Sequence, residues 1–176
     1  MIEVTNRAGS RSRGFSVQIF RVGAWLFACL ALSLHAPPGA LAQGSAPSVT
    51  CEPTPKDSLG PFYKPVAPIR FSVGRGYVLS GAVRSAEGCA VIPHARIEAW
   101  LAGPSGDYGD EFRATLFTDS DGRYRFESHV PPPYMGRPPH IHLRVSAQGF
   151  ETLVTQHYPE KGLAASNFDL VLRPLH

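Results

Sequence analysis

The chain has 176 residues and a formal net charge of +3, from 17 Lys and Arg against 14 Asp and Glu. The excess lies wholly in the first 42 residues, which hold four Arg and one Glu, so nothing basic is left beyond them to recruit nucleic acid or an anionic membrane. About 134 residues then remain, enough for one core and too few for two domains.

Residues 1–42 read as an export signal. Arg7, Arg11, Arg13 and Arg21 precede an apolar run at 24–34, which is too short to span a bilayer, and Ala40-Leu41-Ala42 fits a small-residue cleavage site. Arg11 and Arg13 are not adjacent, so a twin-arginine signal is weakly drawn, and Cys29 inside the apolar run does not suit a lipoprotein. The expectation is export to a periplasmic or extracellular compartment, with no membrane attachment after cleavage. There Cys51 and Cys89, the two cysteines left, are expected to pair.

Residues 43–68 are rich in Pro, Ser and Gly and read as an extended lead-in to a domain at 69–176. Short apolar runs cut by turn residues then predict strands at 77–83, 95–101, 113–118, 123–127, 141–147, 150–156 and 167–172. Asp121-Gly122 and Gln148-Gly149 are hairpin signals between pairs of them. Asp119-Ser-Asp121-Gly resembles the start of a calcium loop but lacks the later Glu, so a turn is the better reading. No dozen residues keep a helical period without Pro or Gly. The fold class expected is all-β, a single β-sandwich with long loops at 103–111 and 130–139.

The most informative segment is Arg137-Pro-Pro-His-Ile-His142, with Tyr134 ahead of it and Tyr108 further upstream. Side chains two apart on a strand share a face, so His140 and His142 can converge on one metal ion, while two prolines stiffen the approach. Alone, such a pair reads equally well as two surface histidines. Tyr134 follows three prolines and Tyr108 lies in a glycine-rich connection. A tyrosine in either place is ordinarily packing or an edge hydrogen bond. His94, His129 and His157 have no partner pattern and read as structural.

Taken together, Gly60-Pro-Phe-Tyr63, Ile97-Glu-Ala-Trp100, Gly106-Asp-Tyr108, residues 118–126, Pro133-Tyr134, the Arg137 to His142 segment and Thr155-Gln-His-Tyr158 resemble the intradiol ring-cleavage dioxygenases, in the family's order. The stretch 118–126 alone is shared with many transthyretin-like sandwiches. The resemblance implies a non-haem Fe(III) cofactor held by Tyr108, Tyr134, His140 and His142. It also implies Tyr134 as a base that leaves the metal when substrate arrives, and Arg137 as a cation stabilising charge on the ring. Gln156 and Tyr158 match positions behind the ligands, and Tyr63 a pocket wall. The implied reaction opens a catechol-type ring between its hydroxylated carbons with O2, to a cis,cis-muconate-type product. Two phenolates and a hydroxide suit a hard trivalent ion.

The chain departs from that family's familiar members in its export signal, its lack of their helical N-terminal domain and the short gap from Tyr134 to His140. Dimerisation through that domain does not carry over, so a homo-oligomer of another kind and the ring substituents stay open. The rival reading is a non-catalytic, transthyretin-like exported binding module, which would share the fold.

Overall fold

The computed structural model describes residues 49–176, and the export-signal reading of 1–42 falls outside the described residues. The apolar runs become strands β1 (Tyr77–Ser85), β2 (Arg96–Leu101), β3 (Arg113–Phe117), β4 (Arg123–Ser128), β5 (Ile141–Ser146), β6 (Leu153–His157), β7 (Ala165–Asn167) and β8 (Leu170–Leu172). The one helical element among the described residues is a 3₁₀ turn, Asp110–Phe112. One sheet has the order β4-β1-β7, with β8 also on β1, and the other is β3-β2-β5-β6, antiparallel throughout. The expected all-β sandwich is what forms. Its core lies between the inner faces, where Leu79 and Phe126 of one sheet meet Ile97, Leu143 and Val145 of the other.

Burial patterns distinguish the two sheets. β4 alternates cleanly, with Tyr124, Phe126 and Ser128 buried and Arg123 and Arg125 exposed, as a strand with one wet face must. By contrast β2 buries every residue from Ile97 to Leu101, and β5 buries Ile141, His142 and Leu143 in succession. Something therefore covers the outer face of their sheet. The cover is the segment before β1. Asp57 N–H donates to Val154 O (2.9 Å), Thr115 N–H to Pro68 O (2.8 Å) and Arg70 N–H to Thr115 O (3.0 Å). Thr155 Oγ1 donates to Pro55 O, and Thr115 Oγ1 to Ala67 O. Upstream, a Cys51–Cys89 disulfide closes a separation of 38 residues. In the chain-entropy model such a loop is worth about 3–4 kcal/mol.

Two local expectations change. Gln148-Gly149 does join an antiparallel pair, β5 and β6. Asp121-Gly122 is not a hairpin, because β3 pairs with β2 while β4 pairs with β1, so this turn carries the chain from one sheet to the other. Asp119 Oδ1 accepts the N–H groups of Asp121 and Arg123, which closes the turn without a ladder. The run 167–172 is also not one strand. It breaks at Phe168-Asp169, where Phe168 O approaches Gly81 so closely that a Cβ there would collide with it. Asp169 Oδ1 takes the Ala82 N–H (2.8 Å) that the broken ladder leaves free.

Candidate active site

The register across the β3-β2-β5-β6 sheet sets an outward-facing row. Trp100 is opposite Arg113 on one side and His142 on the other, and His142 is opposite Gln156. Alternation sends Leu143 and Ile141 into the core and leaves His142 on the covered outer face. His140, the last residue before β5, is 3% exposed and His142 is 2% exposed. Their rings are 4.8 Å apart at 75° to one another.

Two loops bring the phenols. Tyr108 comes from the connection after β2, which folds on itself through Gly103 N–H to Asp107 O and Gly106 N–H to Gly103 O. Its hydroxyl is 3.2 Å from His140 Nε2. Tyr134 and Arg137 close a two-residue turn with reciprocal backbone hydrogen bonds (3.1 and 2.9 Å). Met135 and Gly136 both take positive φ there, 46° and 77°, so the turn places residues 134 and 137 side by side. The Tyr108 and Tyr134 rings meet edge to face at 5.3 Å, and Tyr108 and His142 at 6.0 Å. The structure thus gathers Tyr108, Tyr134, His140 and His142 into one cluster.

The electrostatics follow from burial. His142 is pushed down to about 4 by burial, with the neighbouring His140 adding to the effect, so its imidazole is neutral at ordinary pH. Its Nδ1 is buried with no hydrogen-bond partner. His140 Nδ1 lies 2.8 Å from the Pro138 carbonyl; donating its proton there leaves Nε2 as a lone pair toward Tyr108. Burial and the nearby Tyr134 raise the Tyr108 phenol, which Arg137 and Arg113 oppose in part.

Arg137 lies beside the cluster. Its Nη2 donates to Gln156 Oε1 (2.7 Å) and to the Tyr158 hydroxyl (2.9 Å). Tyr63 lies behind Trp100, one ring removed from His142. Its hydroxyl donates to buried Glu98 (3.1 Å), which also binds Arg144 and Arg96, and its ring packs on Trp100. A buried carboxylate needs donors, and Tyr63 is one of them. Among the histidines read as structural, His157 accepts or shares a proton with Tyr77 (2.6 Å), and His129 Nε2 reaches Ala102 O.

Four residues with no role in the sequence reading shape the cluster. Phe62 stacks on Tyr108 at 4.4 Å and meets Tyr134 edge-on at 5.6 Å. Trp100 lies flat on His142, with centroids 4.9 Å apart and planes 5° from parallel. Arg113, 4% exposed, donates to the carbonyls of Phe62 (2.6 Å) and Tyr108 (2.8 Å), tying both loops to the sheet. Asp57 receives the Tyr158 hydroxyl at 2.8 Å. Arg113 and Trp100 share strand parity with His142, a signal that becomes usable only once the pairing is known. Phe62 and Trp100 do stand within the motifs Gly60-Pro-Phe-Tyr63 and Ile97-Glu-Ala-Trp100, which gave neither a role, and for Asp57 the sequence offers no signal. Gly60 is required locally. It has φ +70°, and a Cβ there would stand 3.0 Å from His142 Cε1.

No family model matches the chain. A chlorocatechol 1,2-dioxygenase of Cupriavidus pinatubonensis is 28% identical over 156 residues, covering 69% of this chain and 57% of that protein. A catechol 1,2-dioxygenase of Candida albicans is 33% identical over 138 residues, covering 57% and 45%. The chain thus spans about half the length of these curated relatives. Among solved structures, the dioxygenase domain of a dioxygenase carbohydrate-binding protein fusion from Streptomyces sp. SirexAA-E is 29% identical. It has a TM-score of 0.63 and covers 70% of this chain and 100% of that one. The 3-chlorocatechol 1,2-dioxygenase of Rhodococcus opacus 1CP, 18% identical with a TM-score of 0.62, shares the fold over 69% of this chain and 73% of that one.

Proposed function

We propose that this chain, a relative of the intradiol ring-cleavage dioxygenases in sequence and in fold, uses O2 to open a catechol-type ring between its hydroxylated carbons. The product would be of the cis,cis-muconate type. One observation carries the reading. Two phenols and two imidazoles, from two loops and one strand, converge on the covered outer face of a sheet with a guanidinium beside them.

The residues fit Fe(III). Among the described residues no group of three or more His, Cys, Asp and Glu could hold a metal, so a metal here depends on the tyrosines. Phenolate oxygen is a hard anionic donor suited to a trivalent ion. His142 is neutral, as a ligand must be, and the tautomer with His140 Nδ1 donating to Pro138 O turns Nε2 toward Tyr108. Tyr108, Tyr134, His140 and His142 would hold the iron. When bound, it would supply Lewis acidity to draw the protons from a catechol and an electron acceptor toward which the ring is activated.

The chain's own groups do the rest. Tyr134 Oη would take up a substrate proton, the role that the likeness to the intradiol dioxygenases implies for it, while Arg113 and Phe62 hold Tyr108 in place. Arg137, fixed by Gln156 and Tyr158, would hold positive charge where the ring becomes electron-rich. Phe62 and Trp100 keep water from the inner side of the cluster. Export is part of the proposal, supported by the signal-like segment and by the Cys51–Cys89 pairing.

The test is oxygen uptake by the iron-loaded chain with catechol and substituted catechols. One O2 should be consumed per ring opened, with both atoms in the product. A chain that binds catechols without consuming O2, or that purifies colourless with stoichiometric zinc from iron-rich medium, would instead be the non-catalytic binding module.

A further inference from the structure

We propose that Asp57 is a positioning residue for Arg137, acting through Tyr158; the proposal rests on the dioxygenase reading above. Both acceptors of Arg137 Nη2 are ambiguous by themselves. An amide can present oxygen or nitrogen, and a phenol has a single proton that can point either way. The Tyr158 hydroxyl has two acceptors in reach, Asp57 Oδ2 at 2.8 Å and Gln156 Oε1 at 3.1 Å.

Residues 57 and 58 settle both choices. The Ser58 carbonyl accepts Gln156 Nε2 at 2.6 Å, so Oε1 is the end turned to Arg137. The Asp57 carboxylate takes the phenol proton, being the nearer and the charged acceptor, so the oxygen lone pairs of Tyr158 face the guanidinium. Asp57 is itself held. Its Oδ1 accepts the Ser58 N–H at 2.6 Å, and its own N–H donates to Val154 O on β6, two residues from Gln156. Burial acts to raise the Asp57 carboxyl, but the Ser58 N–H, the Tyr158 hydroxyl and the Arg137 charge together bring it below the ordinary value, so it stays ionised. With Asp57 removed, the phenol proton turns to Gln156 Oε1. It then competes with Arg137 for that oxygen, and the guanidinium loses its fixed direction.

The experiment compares Asp57→Ala, Asp57→Asn, Tyr158→Phe and the double variant Asp57→Ala/Tyr158→Phe in the full chain. Iron content, the visible band and its shift on adding catechol should match the unmutated chain in all four. Turnover by Asp57→Ala should fall roughly tenfold, the scale of one charge-assisted hydrogen bond. Asp57→Asn, still an acceptor for the hydroxyl, should recover most of it. The double variant should be no slower than Tyr158→Phe, because the two residues act in one chain of bonds. Asp57→Ala turning over at the unmutated rate, or losses that multiply in the double variant, overturns the proposal.

A second readout needs no turnover. In full chain purified without iron, the Nη signals of Arg137 in arginine-labelled NMR should be resolved for the unmutated protein and averaged by rotation in Asp57→Ala. Signals that stay resolved also overturn it. If the unmutated, iron-loaded chain opens no catechol, the dioxygenase reading falls, and the Nη signals still decide whether Asp57 orders Arg137.

Discussion

Tyr77 and His157 meet at 2.6 Å inside the sandwich, and Tyr108 and His140 meet at 3.2 Å on the outer face of one sheet. The first pair joins strands β1 and β6, and its members satisfy one another. Around it are apolar groups, with Phe168 against the His157 ring at 5.2 Å. The second pair combines a loop residue with the residue preceding a strand, and a second phenol, a second imidazole and a guanidinium gather about it. The same two side-chain types make a closed contact in one place and an open donor set in the other. The difference lies in the backbone. Strands fix side chains in a ladder, one partner each, whereas the 102–109 connection and the 134–137 turn can aim several groups at one point.

The sharpest way to break this comparison is to remove a hydroxyl or ring from the inner pair and from the donor set that gathers about the outer one. Tyr108→Phe or His142→Ala should lose iron and the visible phenolate-to-iron band together, with turnover at background. Tyr77→Phe and His157→Gln should keep iron, colour and turnover, and lose about 1–3 kcal/mol of stability by disturbing a buried hydrogen bond. Metal analysis, visible absorption and denaturant melts read all four. Colour surviving in Tyr108→Phe, or lost in Tyr77→Phe, would reverse the roles assigned to the two pairs.

Arg137→Ala sharpens the same contrast within the cluster. Arg137 borders the donor set without belonging to it, so iron, colour and the catechol-induced shift should persist while turnover falls about 10²–10³-fold. Arg137→Lys should recover part, since a point charge cannot reproduce the planar fork. An iron-replete Arg137→Ala that turns over at the unmutated rate would make the arginine structural.

Much of the frame was legible because alternation is a local property. The β5 pattern put His140 and His142 on one face before any partner strand was known, and five of the eight strands start within a residue of where the apolar runs suggest. What could not be read depends on which strand pairs with which. Asp121-Gly122 carries a hairpin signal, yet whether the next strand returns to the same sheet is decided by β1, some forty residues earlier. The break at Phe168-Asp169 is set by Gly81 across the sheet, and nothing within 167–172 marks it. Asp57, Phe62 and Arg113 become part of the cluster only when the lead-in is laid over the outer face, through contacts spanning 51 to 101 residues. The lead-in composition says extended; it does not say over what.

The smallest expected effect comes from the inner pair and its dependence on acid. Burial pushes the His157 imidazole down to about 4, from an ordinary 6.5, so between those values the folded chain keeps it neutral while the unfolded chain protonates it. The unfolded state then binds more protons, and stability rises with pH across that window. The contribution is complete above about pH 6.5 and is lost as pH falls toward 4. Thermal melts between pH 7 and 4.5 should therefore show a decline in the unmutated chain that is shallower in His157→Gln, whose amide can still accept the Tyr77 hydroxyl but does not titrate. His142 is displaced in the same direction, so in iron-free protein the variant should retain part of the slope rather than none. The two melting curves should differ most at pH 7, where His157 is neutral in both states and its bond to Tyr77 is intact. They should converge as the pH drops. Parallel curves would mean that His157 takes up its proton inside the fold as readily as outside it, and the closed pair would then be open after all.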